Sequence, residues 1–239
     1  MSVSARLDTT LVIAQKPHPT APVVSTDSRF PVRRIFCVGR NYAEHAKEMG
    51  FTGREPPFFF MKYPEAVLSA AEGEKAQMAY PPLTTDLQHE VELVVAIREG
   101  GINIDAADAL EHVFGYAVGL DMTRRDLQGE MKKQGRPWEI GKAFEQSAPL
   151  GPILPAELAG NIATAEITLN VNDNLRQNGN IGQMIWSIPE IIAEISTAWG
   201  LYAGDLIYTG TPEGVGAVTR GDLLSARVTG LPPLLVEII

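Results

Sequence analysis

The chain has 239 residues, of which 45% are hydrophobic and 21% are charged. This composition is that of an ordinary globular protein rather than a disordered one, and the length fits one large domain. The net charge of −9 argues against broad electrostatic binding to nucleic acid or to an anionic membrane.

Cysteine content and hydropathy narrow the class of protein further. The single cysteine, Cys37, excludes an intrachain disulfide and, with four histidines, leaves little for a structural zinc site. No run approaches the ~20 apolar residues of a membrane span. The apolar run at 11–14 is too short for the core of a signal peptide. We therefore expect a soluble cytoplasmic protein that binds neither nucleic acid nor membranes.

Short strands dominate the first half of the chain. A loose boundary near residue 30 separates an N-terminal extension or small cap segment, 1–30, from a main domain, 31–239. Apolar runs, residue alternation and helical spacing predict the elements in this half. In chain order they are strands at 10–14 and 35–38, a helix at 41–49 ending at Gly50, and strands at 58–61, 89–97 and 113–121.

The second half adds two clear helices. One is predicted at 123–134 with Gly135 as its stop, and the other begins at the capping box Ser187–Glu190 and ends near Gly200. A hairpin with its turn at 172–174 and strands at 206–209, 223–228 and 234–239 complete the chain. Strands outnumber helices and do not alternate strictly with them, which favours a β-rich α+β fold.

Three carboxylates form the first candidate site. Glu90 and Glu92 are two residues apart on a predicted strand, so they point to the same face, roughly 7 Å apart. Asp121 ends a strand that could lie alongside. Three carboxylates without a thiol suit a hard ion such as Mg²⁺, Mn²⁺ or Ca²⁺. The alternative is a solvated strand face, since Glu-x-Glu is common.

A histidine and a carboxylate form the second candidate site. His45 and Glu48 are three residues apart, so they would be neighbours on a helix. A carboxylate beside an imidazole fixes its tautomer and raises its basicity, which prepares it to act as a general base. The alternative is an incidental pair on a surface helix.

The third candidate site follows Asp121 in the sequence. Arg125 and Gln128 lie four and seven residues after it, on one predicted helical face, and Lys142 stands in an otherwise apolar segment. A lysine in such a segment either buries its aliphatic chain and extends its ammonium group to solvent, or buries the ammonium group so that it faces an anion. The loop 209–216 holds three glycines and can either present backbone N–H groups to an anion or serve only as a tight turn.

Taken together, these groups resemble the fumarylacetoacetate hydrolase family, in its small acylpyruvase branch. Six motifs carry the resemblance in the right order between 35 and 228. They are residues 38–42 with His45 and Glu48, then 89–93, 119–123, 125–128, 141–144 and 209–216. The resemblance implies a fold of stacked mixed sheets with few helices, and a homodimer.

The resemblance also implies a role for each candidate residue. Glu90, Glu92 and Asp121 would bind the metal. His45, oriented by Glu48, would be the general base on a segment that closes over the site. Further residues would contact the substrate: Gln128, Lys142 and Arg125, with Thr211 at a carboxylate. Where relatives often have Lys-Pro after the apolar strand, this chain has Lys62-Tyr63-Pro64, and Lys62 is therefore not among the predicted site residues.

Within the family, residues 56–60 and 135–142 look most like bacterial fumarylpyruvate hydrolases of aromatic-acid degradation. Such an enzyme hydrolyses a 2,4-dioxo acid, here fumarylpyruvate, to fumarate and pyruvate, using Mg²⁺. The second carboxylate of this substrate needs a cation, for which Arg40 and Arg136 are the candidates.

Two rival functions remain open. One is a decarboxylase acting on oxaloacetate or an isomerase and decarboxylase acting on 2-oxo diacids, with the same metal ligands. It needs no attacking water, so the pair His45 and Glu48 favours hydrolysis. The other is a non-catalytic ligand-binding module, which would not need His45, Glu48 and Lys142 together.

Overall fold

The computed structural model describes residues 12–14, 16–42 and 54–239. Within these residues the strands are β1 (Thr20–Pro22), β2 (Arg29–Pro31), β3 (Arg34–Gly39), β4 (Phe58–Lys62), β5 (Val67–Ser69), β6 (Lys75–Met78), β7 (Leu87–His89), β8 (Val91–Ile97), β9 (Val113–Leu120), β10 (Thr123–Arg124), β11 (Ala148–Leu150), β12 (Leu154–Pro155), β13 (Glu166–Val171), β14 (Asn174–Asn180), β15 (Asp205–Tyr208), β16 (Gly216–Val218), β17 (Leu223–Val228) and β18 (Leu234–Ile238). The α-helices are α1 (Arg125–Gln134), α2 (Glu139–Lys142) and α3 (Ile188–Ala198).

Two large mixed sheets stack to form the body. The first has the order β4-β3-β15-β8-β9-β11-β5, with β12 also pairing with β9, and the second has the order β14-β13-β17-β18-β6. A small sheet, β10-β7-β16, lies at the end of β8 where the candidate carboxylates are found. The β-rich α+β prediction with stacked mixed sheets is therefore confirmed. Among the described residues, no helix is long and apolar enough to cross a membrane.

Strand β8 is the centre of the fold, and its alternation explains why. Leu93 and Val95 pack into the larger apolar core, whereas Val94 and Ala96 pack into the smaller one on the opposite face. A strand that is packed against apolar residues on both faces has a nearly continuous apolar sequence, and the sequence of β8 shows this pattern. The carboxylate of Glu92 is the exception in this strand.

The predicted strand at 89–97 is interrupted at one residue. His89 ends β7, which pairs with β10 and β16, whereas Val91 begins β8 in the large sheet. Glu90 lies between them, outside both strands. The prediction of one continuous strand was wrong because alternation in sequence does not show where a chain passes from one sheet to another.

Other boundaries differ in smaller ways. The helix predicted from Thr123 begins at Arg125, because Thr123 and Arg124 pair with β7 as a short strand. Gly135 ends this helix with φ of 63°, as expected for a glycine stop. The hairpin β13–β14 and the capping box of α3 are confirmed.

The N-terminal predictions are only partly covered by the structure. Residues 12–14 are described and are not in a strand, while 10 and 11 lie outside the described residues. The hairpin β1–β2 buries Ala21 and Phe30 in the smaller apolar core. The proposed boundary near residue 30 stays a prediction.

Candidate active site

Three buried carboxylates meet at the end of the central strands. Glu92 pairs in register with Gly119 on β9, so the end of β9 brings Asp121 beside the start of β8. The backbone N–H of Asp121 donates to the carbonyl of Glu90 at 2.9 Å. One oxygen from each carboxylate lies within 4.8 Å of the other two, and all three side chains are buried.

Lys142 places its ammonium group among these carboxylates. Its Nζ lies 2.7 Å from Oδ2 of Asp121, 2.9 Å from Oε2 of Glu90 and 2.7 Å from Oγ1 of Thr123. The predicted alternative, a stem that reaches solvent, is wrong, because Lys142 is buried. The short helix α2 that carries it packs directly on α1, where a Cβ at Gly141 would lie 2.7 Å from the backbone nitrogen of Gln128.

Lys62 is a site residue that the sequence analysis omitted. Its side chain is fully buried, and its Nζ lies 2.8 Å from Oδ1 of Asp121. The same ammonium group donates to the carbonyls of Met122 and Lys142, so it ties β4 to the two chain segments that form the site. The signal in the sequence was a charged residue at the end of an apolar strand. The departure from Lys-Pro does not move it out of the site.

Arg125 and Gln128 join the cluster from α1. The guanidinium of Arg125 donates to the carboxylate of Glu90, to Oε1 of Gln88 at 2.8 Å and to Oε1 of Gln128 at 3.4 Å. Arg125 and Gln128 lie on one face of α1, as predicted, since they are three residues apart and hydrogen-bonded to each other. Asp121 precedes this helix, and Arg125 reaches the cluster through Glu90.

The electrostatics of the cluster follow from burial. Burial, together with the charges of Asp121 and Glu90, raises the pKa of Glu92 well above its ordinary value, although the backbone N–H of Gly210 opposes this. That N–H donates to Oε2 of Glu92 at 2.7 Å, so the glycine-rich loop does present a backbone donor to an anion. Burial lowers the pKa of Lys142, but the charges of Asp121 and Glu90 outweigh it and raise that pKa above its ordinary value.

The carboxylates open onto a small hollow that is partly open to solvent. Glu90, Glu92, Asp121 and Lys142 form its floor. Phe58, Phe60 and Trp138 form an aromatic wall, in which the rings of Phe58 and Trp138 meet edge to face with centroids 5.4 Å apart. The predicted residues Arg40, Arg125, Gln128 and Thr211 also line this hollow, which we call the carboxylate pocket.

The two predicted arginines for a second carboxylate lie in different places. Arg40 is in the left-handed backbone region, with φ of 59°, and its guanidinium lies over the ring of Phe58 at 5.1 Å. Burial lowers the pKa of Arg40, with Glu55 acting in the opposite sense. Arg136 is exposed and lines an adjoining hollow beside Phe58 and Trp138, not the carboxylate pocket itself.

His45 and Glu48 lie outside the described residues, so their pairing stays a prediction. Asn41 and Glu55 are described residues on either side of 43–53. Both contact Trp186, which lies just before α3. The side chain of Asn41 both donates to the carbonyl of Trp186 and accepts from its backbone N–H, at 2.9 and 2.8 Å. On the other side, the indole N–H of Trp186 donates to the carbonyl of Glu55 at 3.2 Å.

The donor set fits a divalent metal. Three oxygen ligands from buried carboxylates, with no thiol among them, match the preference of Mg²⁺ and Mn²⁺ for hard donors. Burial and, after it, the neighbouring charges of Asp121 and Glu90 raise the pKa of Glu92, and a bound cation would favour its ionised form. The alternative of a solvated strand face is wrong, since all three carboxylates are buried.

Comparison with known proteins gives consistent matches along most of the chain. A family model described as fumarylacetoacetate (FAA) hydrolase C-terminal matches residues 34–239. The crystal structure of fumarylpyruvate hydrolase from Pseudomonas aeruginosa in complex with Mn²⁺ and pyruvate is 50% identical, with a TM-score of 0.94. This match covers 96% of this chain and 99% of that one.

Two curated relatives with different names are similarly close. Fumarylpyruvate hydrolase of Ralstonia sp. is 44% identical over 74% of this chain and 90% of its own length. A mitochondrial oxaloacetate tautomerase of Rattus norvegicus is also 44% identical, over 83% of this chain and 88% of its own length. Sequence identity alone therefore does not separate hydrolysis from tautomerisation.

Proposed function

Since the chain belongs to the fumarylacetoacetate hydrolase family, we propose that it is a metal-dependent hydrolase that cleaves a C–C bond in a 2,4-dioxo acid. The proposed substrate is fumarylpyruvate, the products are fumarate and pyruvate, and the setting is aromatic-acid degradation in the cytoplasm. The observation that carries this proposal is the trio of buried carboxylates, Glu90, Glu92 and Asp121, on the floor of a pocket that also holds Lys142 and Thr211.

Glu90, Glu92 and Asp121 would hold the metal, for which we propose Mg²⁺, with Mn²⁺ and Ca²⁺ as substitutes. The bound ion supplies positive charge where negative charge develops on the substrate. Lys142 adds a second positive charge at the same place, which stabilises an enolate oxygen as it forms. Gln128 and Arg125 would orient the oxygens of the pyruvoyl end, and Thr211 would donate to its carboxylate.

The acyl end would lie along the aromatic wall. A fumaryl group is flat and conjugated and ends in a carboxylate. The rings of Phe58 and Trp138 offer it an apolar surface, and Arg40, beside Phe58, supplies a cation for the carboxylate. Arg136 in the adjoining hollow is the second candidate for this contact.

We assign the proton transfer to His45, oriented by Glu48. His45 would take a proton from a water molecule, and the resulting hydroxide would attack the distal ketone of the substrate. The C–C bond then breaks, its electron pair passes to the pyruvate enolate, and the proton returns to carbon to give pyruvate. General-base assistance of this kind typically contributes ~10²–10⁴-fold in rate.

The second candidate function is oxaloacetate decarboxylation or tautomerisation, with isomerisation of 2-oxo diacids as a variant. Its support is the similarity to the rat oxaloacetate tautomerase, which equals that to the Ralstonia hydrolase in identity. This reaction uses the same metal ligands and Lys142 but needs no attacking water. A non-catalytic ligand-binding module has no comparable support, since the two curated relatives compared above are both named as enzymes.

Product analysis would decide between these functions. The purified protein is incubated with fumarylpyruvate, acetylpyruvate or oxaloacetate, each with Mg²⁺, with Mn²⁺ and with a chelator. We expect equal amounts of fumarate and pyruvate from fumarylpyruvate, and none with the chelator. Turnover of oxaloacetate alone, by CO₂ release or by keto–enol exchange, would favour the second candidate. Gel filtration of the same sample would test the proposed homodimer.

A further inference from the structure

Gln177 is a buried polar residue on a strand whose other residues are exposed or half-buried. Its side chain is 0% exposed, whereas Leu175, two residues earlier on β14, is 57% exposed. Two residues apart on a regular strand would face the same way. The pairing register with β13 shifts at this point: Leu175 is opposite Asn170 and Gln177 is opposite Leu169, leaving Arg176 as an extra residue. This β-bulge turns Gln177 inward.

The inward side chain makes four hydrogen bonds. Its Oε1 accepts from the backbone N–H of Val91 at 3.0 Å and lies 2.9 Å from Nδ1 of His89. Its Nε2 donates to Oγ1 of Thr211 and to the carbonyl of Pro212, both at 2.8 Å. Glu90 stands between His89 and Val91, so one amide connects the chain around a metal-ligand candidate to the loop that carries Thr211.

Two backbone groups fix the orientation of this amide. The N–H of Val91 can only donate, so the atom facing it is the oxygen of Gln177. The carbonyl of Pro212 can only accept, so the atom facing it is the nitrogen. It follows that Oγ1 of Thr211 accepts a hydrogen bond from Gln177. The single hydroxyl proton of Thr211 then points away from Gln177.

The loop is held against β14 by its backbone as well. A Cβ at Gly214, where φ is 90°, would lie 2.1 Å from the carbonyl oxygen of Arg176. The loop therefore approaches the bulge as closely as a glycine allows. Thr211, three residues before Gly214 in this loop, lines the carboxylate pocket.

We propose that Gln177 is a positioning residue that sets Thr211 as a hydrogen-bond donor into the carboxylate pocket. By occupying the acceptor side of the hydroxyl, Gln177 directs the Thr211 proton towards a bound 2-oxo carboxylate. This inference rests on the proposed function, because it takes a 2-oxo acid as the ligand. Gln177 touches neither the ligand nor the carboxylates and acts through Thr211.

The test measures binding rather than turnover. The affinity of the full-length protein for pyruvate is measured by titration calorimetry at saturating Mn²⁺, and the affinity for Mn²⁺ is measured separately by electron paramagnetic resonance. Gln177→Met removes all four hydrogen bonds but keeps the length of the side chain. We expect pyruvate affinity to fall ~10-fold, which is the usual effect of losing one hydrogen bond to a charged group. Affinity for Mn²⁺ should change by less than about threefold, since the three carboxylates remain.

Thr211 variants separate positioning from general loosening of the fold. In a Thr211→Val background the hydroxyl is gone, so Gln177→Met should cause no further loss of pyruvate affinity. Asn178→Met, at an exposed position next to Gln177, is the matched control and should bind pyruvate normally. Should Gln177→Met fail to fold, Gln177→Glu gives the same readout, because a carboxylate cannot donate to Thr211.

Three outcomes overturn the inference, and they are distinguishable. Unchanged pyruvate affinity in Gln177→Met, or equal losses in the wild-type and Thr211→Val backgrounds, would show that Gln177 does not act through Thr211. In that case wild-type turnover of fumarylpyruvate would leave the proposed function intact. Failure of the wild-type protein to bind pyruvate at all would overturn both.

Discussion

Lys142 and Asp121 are in direct contact inside the protein, with Nζ of the lysine 2.7 Å from Oδ2 of the aspartate. The same ammonium group is 2.9 Å from Glu90. A cation on the side chain therefore occupies the region where the three carboxylates converge. The charge of the proposed metal ligands and the charge of Lys142, which would act on the substrate, are thus coupled. A change in either group should alter the behaviour of the other.

Removing a ligand should remove the metal. Asp121→Ala deletes one carboxylate, so we expect affinity for Mn²⁺ to fall at least ~100-fold, and activity with it. The substitution also leaves the buried ammonium groups of Lys62 and Lys142 without this partner, so the midpoint of thermal unfolding should fall as well. Electron paramagnetic resonance gives the first quantity and thermal unfolding checks the fold. Glu157→Ala, at an exposed carboxylate that does not line the carboxylate pocket, is the control. Full activity after chelator treatment of the wild type would contradict the assignment of Glu90, Glu92 and Asp121.

Loss of the Lys142 charge should lower the rate of turnover without lowering metal affinity. Lys142→Met keeps the stem and removes the ammonium group, so turnover should fall ~10²-fold, or ~3 kcal/mol, if it stabilises an enolate. Because a positive charge next to the carboxylates disappears, affinity for Mn²⁺ should stay the same or rise. Lys133→Met, at an exposed lysine of α1, is the matched control. Turnover near that of the wild type would make Lys142 structural.

Gly141 should tolerate no side chain. A Cβ there would lie 2.6–2.8 Å from the backbone nitrogen, Cα and Cβ of Gln128, which cannot move without shifting α1. We expect Gly141→Ala to displace α2 and with it Lys142, lowering both the midpoint of thermal unfolding and kcat. Gly129→Ala, on the same helix pair but with open space at the Cβ position, is the control and should leave kcat unchanged. Equal behaviour of the two variants would contradict this account of the packing.

The capping box of α3 should make stability depend on pH. The hydroxyl and the backbone N–H of Ser187, together with the guanidinium of Arg54, lower the pKa of Glu190 from 4.5 to about 2. A carboxylate with a lowered pKa stabilises the folded state above pH 4.5. That stabilisation is lost as pH falls towards 2. The carboxylate is more than a third exposed, so screening keeps its contribution below the ~1 kcal/mol of a good cap.

Glu190→Gln tests this directly, since the amide keeps an acceptor but loses the charge. We expect it to be less stable than the wild type near neutral pH, with the difference shrinking as pH falls below 4.5. Urea unfolding at a series of pH values measures this. A difference that is constant across the series would show that the charge of Glu190 contributes nothing.

The sequence predicts the carboxylate site better than its surroundings. The inward positions of Glu92 and Asp121 could be predicted from residue alternation along strands that are buried on both faces. Lys62 and Gln177 do not, because their roles depend on contacts across long stretches of chain. The nearest carboxylate to Lys62 is Asp121, and the partners of Gln177 are His89, Val91 and Thr211.

Local irregularities in the strands account for the remaining differences between the predicted and the observed structure. The β-bulge at Arg176 reverses the alternation that would have placed Gln177 on the exposed face. The passage between sheets at Glu90 likewise has no glycine or proline to mark it. The spacing of apolar residues predicts only regular strands and helices. Glu90 and Gln177 lie where a regular strand is interrupted, and such interruptions are common at functional sites.

The last prediction separates hydrolysis from decarboxylation within one protein. His45→Ala removes the proposed base and leaves Glu90, Glu92 and Asp121 in place. Cleavage of fumarylpyruvate should fall ~10²–10⁴-fold, whereas any activity on oxaloacetate should fall much less, because that reaction needs no activated water. Glu48→Gln should give a milder loss of hydrolysis, since it weakens the base without removing it. Both reactions are measured on the same purified variants at saturating Mg²⁺, with His112→Ala, outside the carboxylate pocket, as the control. If fumarylpyruvate cleavage survives in His45→Ala, or if both activities fall equally, the role given to His45 is wrong and oxaloacetate chemistry becomes the better proposal.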